Sequence, residues 1–400
     1  MQLKPCGHYL KKVLKSNMGI SRLKKVKLGD FVSHSKESVD PTGGEVTRYV
    51  AGEHMETDQI RISKWGLIGD GYLGPAFIRR FHPGQVLYGS RRTYLRKLAV
   101  ADFDGVCANT TFVLSTSDSN FLLQEFIPCI MTSEDFHAFS IRESKGSVNP
   151  YVNWSDLAKY EFYLPSIDEQ VKMIKLYWGI QKHIEVINQK VTAIQNLKES
   201  WIISLLESTV ESQSLVEIAD IIMGQSPDGQ TVNQEGKGVT FFQGNAEFGQ
   251  KYPSIKFFTT AGKKFASAGD ILISVRAPIG DINIAPTDCS IGRGLASIRP
   301  HSVDDTEFIK NMLLGTVNIL SHKGAGSTFS AIKGEDLRNH RLPWPEKAVR
   351  LEITSRLNSI DISLQASLSE KDSAINLLKG LVENFKGRNS VDSTGESDVI

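Results

Sequence analysis

The side chains of this sequence best suited to binding chemistry are basic residues gathered in one stretch. Between Arg79 and Lys97 there are six arginines and lysines and no acidic residue, and Tyr88 and Tyr94 are interleaved with them. Arginine and lysine neutralise phosphates, and arginine can also hydrogen-bond the edge of a base in two places. The stretch therefore predicts contact with nucleic acid, the alternative being an ordinary solvated surface. The residues predicted to form this DNA face are Arg79, Arg80, Arg91, Arg92 and Lys97.

A sparser set of similar residues occurs in the second half of the chain. There, amides that stand beside glycines are followed by isolated basic residues. Asparagine and glutamine can read base edges in pairs of hydrogen bonds, as arginine does. This part of the sequence predicts a second DNA face, formed by Gln243, Asn245, Arg276, Arg293 and Lys323.

Two short motifs invite an enzymatic interpretation that their surroundings do not support. Gly69–Gly74 follows the pattern GxGxxG, but Pro75 comes next and leaves no helix of the kind that a dinucleotide-binding turn requires. Asn149-Pro150-Tyr151 is similar to the catalytic tetrapeptide of adenine methyltransferases but lacks its second proline. We interpret both as turns. Because no Walker loop, HExxH or nucleophile elbow occurs either, the sequence predicts neither an active site nor a metal site.

The composition is that of a folded chain in which basic and acidic side chains nearly balance. The 400 residues include 46 basic and 45 acidic side chains, and 40% are hydrophobic, which excludes wholesale disorder and a uniformly basic nucleic-acid binder. The four cysteines show no CxxC spacing, which is typical of a reducing compartment. No apolar run reaches the ~18 residues of a membrane span. These features predict a cytoplasmic protein that does not enter a membrane.

The elements that must position the basic residues are arranged twice along the chain. At an offset of about 180 residues, Asp156-Leu157 matches Asp336-Leu337 and Phe162–Pro165 matches Leu342–Pro345. At a slightly larger offset, Arg91 matches Arg276. The chain is therefore predicted to be two copies of one plan. Each copy begins with a loop-rich stretch of short β-branched runs and turn signals, which predicts a mixed α+β lobe with short antiparallel strands.

Each copy ends in a stretch with the apolar period of a long helix. Apolar residues recur every three or four positions, Leu197 among them, which marks one helix face. Each helix of about 40 residues would be roughly 60 Å long at 1.5 Å per residue. Two such stripes predict a coiled coil, the alternative being a helix hairpin inside one globular domain. The residues assigned to these partner-binding helices are Ile180, Ile187, Ile194, Trp201, Ile360, Leu364, Leu378 and Leu381.

The predicted organisation follows from these two copies. We expect an N-terminal extension (1–21), a first lobe (22–165), a first spacer helix (166–212), a second lobe (213–345), a second spacer helix (346–387) and a disordered tail (388–400). The fold class is α/β in the broad sense, namely two mixed α+β lobes in a tandem pseudo-repeat separated by two long helices.

This layout resembles the specificity subunit of type I restriction–modification systems, from about Lys24 to Phe385. The resemblance is carried by Lys25–Phe31 and Met223–Pro227 at the start of the lobes, by Gly269–Gly280, and by the junction Leu164–Gln170. The second junction, Trp344–Arg350, lacks the Glu-Gln pair of the first. Individually these motifs are weak, but they occur in this order and twice.

The resemblance implies two target recognition domains, held apart by two antiparallel coiled-coil helices, that each read one half of a split sequence in double-stranded DNA. The prokaryotic origin of the chain is implied only by this resemblance. It further implies two methyltransferase (modification) subunits as partners, and restriction motor-nuclease subunits for cleavage. S-adenosylmethionine, ATP and Mg would then belong to those partners, and this chain would hold no cofactor and catalyse nothing. The other interpretations left open are a self-contained methyltransferase or nuclease, a coiled-coil adaptor without DNA contact, and a specificity-like subunit of another defence system.

Overall fold

The computed structural model describes residues 24–207, 211–322 and 331–384, with side chains described except in 317–322 and at Asn384. The predicted N-terminal extension and C-terminal tail lie outside these ranges. By its internal contacts the chain divides into a first unit, made of 1–186 and 371–400, and a second unit, 187–370. No described helix is long and apolar enough to cross a membrane.

The first unit contains two four-stranded sheets and a two-stranded one. Their orders are β2-β9-β6-β7, β4-β3-β8-β5 and β1-β10. The strands are β1 (Lys24–Lys27), β2 (Val32–Ser35), β3 (Arg48–Val50), β4 (Gly66–Leu67), β5 (Phe77–Phe81), β6 (Val86–Gly89), β7 (Leu98–Val100), β8 (Gly105–Ala108), β9 (Thr111–Thr116) and β10 (Glu161–Leu164). The helices are α1 (Leu28–Phe31), α2 (Ile127–Met131), α3 (Glu134–Arg142), α4 (Trp154–Leu157) and the first half of α5 (Ile167–Leu206), with 3-10 turns at Pro41–Gly43, Thr93–Leu95 and Gln124–Phe126.

The second unit repeats this plan. Its sheets have the orders β12-β20-β17-β18, β13-β15-β14-β19-β16 and β11-β21. The strands are β11 (Ser212–Ser214), β12 (Ala219–Met223), β13 (Val232–Asn233), β14 (Val239–Phe242), β15 (Phe257–Thr259), β16 (Phe265–Ala266), β17 (Ile271–Ser274), β18 (Ile282–Ile284), β19 (Cys289–Ile291), β20 (Leu295–Pro300) and β21 (Arg341–Pro343). The helices are α6 (Leu215–Ile218), α7 (Thr306–His322), α8 (Gly334–Arg338) and the first half of α9 (Lys347–Asn384), with 3-10 turns at Gly229–Thr231 and Val303–Asp305.

The two lobes share strand order as well as sequence, which confirms the mixed α+β tandem. One detail differs from the expectation of antiparallel strands, since β3 runs parallel to β8 and β14 runs parallel to β19. Parallel neighbours need a long crossover between them. In each lobe the intervening chain supplies it, because it passes through the other four-stranded sheet before it returns.

The long helices contribute apolar side chains to the core of both units. In the first unit, Tyr177 of α5 and Leu381 of α9 pack in one buried cluster with Tyr88 and Phe136 of the lobe. In the second unit, Ile202 of α5 and Leu357 of α9 share a cluster with strands β17 and β20 and with α7. Each unit thus builds its core from a lobe and a segment of each helix.

Within the second unit, α5 and α9 pair in antiparallel directions around a polar contact. The Lys198 Nζ lies 2.6 and 2.9 Å from the two carboxylate oxygens of Asp361, and Ile202, one turn later, shares a core cluster with Leu357, one turn earlier. The Lys198 side chain is only 18% exposed, whereas Leu197 is 61% exposed. The predicted position of Leu197 in the stripe is therefore wrong. The apolar period predicts that Leu197 lies at the contact between the helices. It cannot identify Lys198 there, because the period counts apolar residues only and the charge of Lys198 is neutralised by the facing Asp361.

The start of each long helix is pinned to its lobe by a buried polar side chain. In the first copy, the Gln170 amide donates to the carbonyls of Phe121 and Pro165 at 2.7 and 2.9 Å, and its oxygen accepts from the Leu123 backbone N–H at 2.9 Å. In the second copy, Arg350 donates to the Pro345 carbonyl at 2.7 Å.

The second-copy side chain also makes a charged contact that the first lacks. The Arg350 Nε lies 2.7 Å from a carboxylate oxygen of Asp305, and its guanidinium carbon lies 4.0 Å from the centroid of the Trp344 ring. Arg350 therefore takes the place of Gln170, which explains how the second junction dispenses with the Glu-Gln pair.

Removal of this guanidinium should selectively destabilise the second unit. Arg350→Ala leaves the Asp305 carboxylate buried without its cation, and breaking such a pair lowers the free energy of unfolding by about 3–5 kcal/mol. Urea denaturation of the full chain measures the loss. The control is Arg356→Ala, whose pair with Glu352 is exposed and should matter by less than about 1 kcal/mol. Equal losses in the two variants would contradict the role given to Arg350.

Candidate nucleic-acid interface

In the second lobe, four loops meet at the ends of strands from both sheets. We call them the second-lobe loop cluster: Gly224–Pro227, Gln243–Asn245, Arg276–Asp281 and Gly292–Gly294. The Ser226 hydroxyl and the Gln243 side-chain amide lie 2.9 Å apart, and the Arg293 backbone N–H donates to the same hydroxyl at 3.2 Å. The Val275 N–H donates to the Gly294 carbonyl at 2.9 Å, which joins the strand before Arg276 to the loop that carries Arg293.

Glycines allow these loops to approach each other closely. A Cβ on Gly224 would lie 2.1 Å from the carbonyl oxygen of Gly292, so a side chain at that position would separate the two loops. The Asn245 side chain donates to the Asp281 carboxylate at 2.6 Å and so links the loop Gln243–Asn245 to the loop Arg276–Asp281. Hydrogen bonds thus hold the cluster together before any ligand arrives.

The structure places four of the five predicted second-lobe residues in this cluster. Arg276 and Arg293 are exposed and have no acidic partner among the described residues. Gln243 and Asn245 are instead engaged by Ser226 and Asp281, so their amides shape the loops as well as facing solvent. Lys323 lies outside the described residues. Sequence reasoning missed Ser226 and Asp281, and only the turn signal Ser226-Pro227 marked the first of them.

The first lobe brings together a corresponding set of loops. We call it the first-lobe loop cluster: Ser90–Lys97, Asn109–Thr110 and Lys145–Tyr151. The Ser90 N–H donates to the Thr110 carbonyl at 3.1 Å, just as Val275 does to Gly294. Lys97 adds a contact to a further loop, because its Nζ donates to the carbonyl of Gly52.

Arg91 and Arg276 occupy the same place in the two lobes. In the first lobe the Val152 N–H donates to the Ser90 carbonyl at 2.9 Å, and in the second the Ile332 N–H donates to the Val275 carbonyl at 3.0 Å. Each arginine directly follows the accepting residue. Arg91, like Arg276, is exposed and has no acidic partner among the residues that the structure describes. The sequence offset that matched them thus corresponds to a shared backbone position.

Arg79 and Arg80 lie in strand β5 and not in the first-lobe loop cluster. The Arg80 guanidinium lies 2.8 Å from the Glu45 carboxylate and 3.6 Å from that of Glu37, while Arg79 donates to the Glu37 carbonyl at 3.4 Å. Burial, together with the positive charges of Arg79 and Lys36, lowers the pKa of His34 to about 4. These two arginines are occupied within the lobe, whereas Arg91 is exposed and has no acidic partner in the described part of the chain.

One of the two interleaved tyrosines belongs to the core. Tyr88 is buried beside Phe112 and Phe136, and burial raises its pKa to about 12. Tyr94, by contrast, is about half exposed. The difference follows from their positions, since Tyr88 lies in β6, where Val86, Leu87 and Tyr88 are all buried, and Tyr94 lies in the 3-10 turn Thr93–Leu95.

The two tempting motifs prove to be loops. After Gly69–Gly74 the chain enters strand β5, with no intervening helix. In the second motif, the Pro150 carbonyl accepts from the Arg92 N–H at 2.6 Å, and Tyr151 pairs with Lys145 before α4 begins. The Asn-Pro-Tyr segment therefore supports the loop that carries Arg91 and Arg92.

The described residues offer little for covalent or metal chemistry. Cys107, Cys129 and Cys289 are buried, and burial raises the pKa of Cys107 and of Cys289 to about 12, so these thiols stay protonated. Within the described ranges no group of three or more His, Cys, Asp or Glu residues is placed to hold a metal ion.

The predicted partner-binding residues of the helices face inward to different extents. Ile187 and Leu381 are buried, and Ile180, Ile194, Trp201, Ile360, Leu364 and Leu378 are half-buried. Among the described helical side chains of the second unit, the apolar ones most open to solvent are instead Leu197 and Ile362, at 61% and 70% exposure. Each adjoins one member of the Lys198–Asp361 pair in the chain. The stripe therefore supplies the cores, and the more exposed of the described apolar side chains lie beside it.

Comparisons with known proteins agree with the repeat and the fold. Residues 207–376 match the family model described as type I restriction modification DNA specificity domain. A putative type I restriction enzyme specificity subunit of Methanocaldococcus jannaschii is 33% identical over 242 residues, or 55% of this chain and 57% of that protein. An Escherichia coli type I restriction enzyme specificity subunit is 23% identical over 50% of this chain and 44% of its own length. The chain thus matches about half the length of these curated relatives.

Solved structures extend the similarity over nearly the whole chain. A chain from a structural study of type I R-M complex assembly and conformational transition is 26% identical, covers 93% of this chain and all of its own, and has a TM-score of 0.61. The S subunit of a type I system from M. genitalium, 14% identical, shares the fold with a TM-score of 0.56 over 92% of this chain and 97% of its own. Residues 207–376 thus match a type I DNA specificity domain, and over nearly its whole length the chain is similar to specificity subunits of type I restriction–modification systems.

Proposed function

We propose that this chain is the DNA sequence-specificity subunit of a type I restriction–modification complex. The first-lobe and second-lobe loop clusters each read one half of a bipartite target in double-stranded DNA. The observation that carries this proposal is the equivalent placement of Arg91 and Arg276, two exposed arginines without an acidic partner among the described residues. A free guanidinium can bind a phosphate or make two hydrogen bonds to the edge of a guanine.

In this proposal the chain supplies recognition and assembly, and its partners supply the chemistry. Two methyltransferase subunits carry S-adenosylmethionine and flip the target adenine out of the duplex. Motor-nuclease subunits bring ATP and Mg. The buried thiols and the loops formed by the two tempting motifs fit a chain without a reaction of its own, acting in a prokaryotic cytoplasm. The length of α5 and α9 fixes the number of unread base pairs between the half-sites.

The function is tested by sequencing DNA methylation in cells that carry a methyltransferase partner with and without this chain. The proposal expects one split adenine motif that disappears when the chain is deleted. A motif that persists without the chain would contradict the proposal. Methylation or cleavage by the purified chain alone would favour an enzyme, and an absence of sequence-dependent DNA binding with partners present would favour a coiled-coil adaptor.

The two equivalent arginines should affect opposite halves of the target. Arg91→Ala should relax the half-site read by the first lobe and Arg276→Ala that read by the second, each by about 1–3 kcal/mol of discrimination. Methylome sequencing of the two variants measures this. Arg80→Ala is the matched control, because Glu37 and Glu45 already hold that side chain, and it should leave both halves unchanged. If either arginine variant keeps the wild-type motif at full affinity, that residue does not read DNA.

The exposed helix residues should matter for assembly and not for folding. Leu197→Glu combined with Ile362→Glu places charges where apolar surface is open to a partner, and burial of two such side chains is worth about 3 kcal/mol or more. The affinity for the methyltransferase subunit, measured by co-purification, should fall roughly a hundredfold or more. Val303→Glu, which alters an 83% exposed valine in a 3-10 turn of the second lobe, is the control. Normal assembly of the double variant would move the docking surface elsewhere.

A further inference from the structure

The loop that follows Arg91 contains an unusual backbone. Thr93–Leu95 forms a 3-10 turn, and the residues on either side of it, Arg92 and Arg96, both have φ near 50° in the left-handed region. A side chain there brings its Cβ against the backbone carbonyl, so residues other than glycine adopt this conformation only where surrounding contacts impose it. Two such residues four positions apart indicate a turn held in one shape at a cost in free energy.

Contacts with the two ends of helix α3 impose this shape. Thr93 is buried, and its hydroxyl lies 2.8 Å from that of Ser144, just beyond the end of α3. The Arg96 guanidinium makes two hydrogen bonds of 2.7 Å to the Glu134 carboxylate at the other end of α3, and the pKa of Glu134 is lowered by this contact. The turn is thus fastened to both ends of one helix.

Contacts from the sides complete the frame. The Arg92 Nε donates to the Asn149 side-chain oxygen at 3.2 Å, and its backbone N–H donates to the Pro150 carbonyl. At the other end of the turn, the Thr57 hydroxyl donates to the Leu95 carbonyl at 3.0 Å. Every residue of the turn except Tyr94 is therefore anchored by its side chain or its carbonyl.

Tyr94 is the residue that this frame presents. Its side chain is 52% exposed, and no described residue hydrogen-bonds or stacks with it. The exposed residues Arg91 and Arg92 stand three and two positions before it, respectively, in the same loop. Tyr72, 91% exposed on the glycine-rich loop Gly69–Gly74, is an aromatic of the same lobe without any such bracing.

We propose that Tyr94 is a specificity-determining residue of the first lobe, whose ring packs against bases of one half-site beside the contact that Arg91 makes. This rests on the proposed function that the lobe reads DNA. A phenol offers an apolar face to a thymine methyl group and a hydroxyl to a base edge, and a fixed ring loses little freedom on binding. In the second lobe Arg276 is followed by Ala277-Pro278-Ile279, so the aromatic contact is confined to one half of the target.

Methylome sequencing with the methyltransferase partner present tests this residue. Tyr94→Ala should lose roughly tenfold or more of its discrimination at one or two positions of the first half-site, with the second half-site unchanged. Tyr94→Phe separates the ring from the hydroxyl and should keep any preference that the ring alone gives. Tyr72→Ala should leave the motif intact.

The outcomes separate this proposal from the function on which it rests. If the wild-type chain directs no methylation motif, the proposed function fails and this inference fails with it. If the wild-type motif depends on the chain but Tyr94→Ala and Tyr94→Phe both reproduce it, Tyr94 is not a specificity residue. If Tyr94→Ala blurs both half-sites and lowers the melting temperature, while Tyr94→Phe is normal in both, the role of the ring is structural and the inference is overturned.

Discussion

The two lobes of this protein depend on one buried polar side chain each, placed in the first turn of the long helix that follows. Gln170 in the first copy and Arg350 in the second are hydrogen-bonded to the proline carbonyl just before the helix and to the lobe itself. A buried amide or guanidinium is satisfied in only one arrangement, and leaving it unsatisfied is costly. Apolar contacts alone would let the helix start slide or rotate against the lobe. These contacts instead define its direction.

The charge of the chain is distributed by the same principle. Several basic side chains within the lobes are paired with acids, as Arg80 is with Glu37 and Glu45 and Arg96 is with Glu134. The unpaired guanidiniums of Arg91, Arg276 and Arg293 stand in loops at strand ends. A net charge of +1 is thus compatible with local cationic sites, because the acids that balance the total lie elsewhere.

Sequence reasoning reached the plan of this molecule but not its polar contacts. The spacing of residues along the sequence predicts the tandem repeat, the two long helices and the equivalence of Arg91 with Arg276. Such spacing can be seen without knowing which residues meet in the folded chain. The places of Lys198 between the helices, of Arg79 and Arg80 within a strand network, and of Arg350 in the position of a glutamine could not be predicted in this way, because each depends on a partner distant in sequence. The contacts that hold the turn around Tyr94 could not be predicted from the sequence for the same reason. The residues that make them, Thr57, Glu134, Ser144 and Asn149, come together only in the folded lobe.

The two lobes have one topology but different loops, since Arg91-Arg92-Thr93-Tyr94 in the first corresponds to Arg276-Ala277-Pro278-Ile279 in the second. A covalent tandem of this kind has a polarity that a dimer of identical chains lacks. Under the proposed function it sits on the duplex in one orientation, because turning it end for end would present each half-site to the wrong loops. The target need not be a palindrome, and every subunit attached to the complex inherits a direction along the DNA.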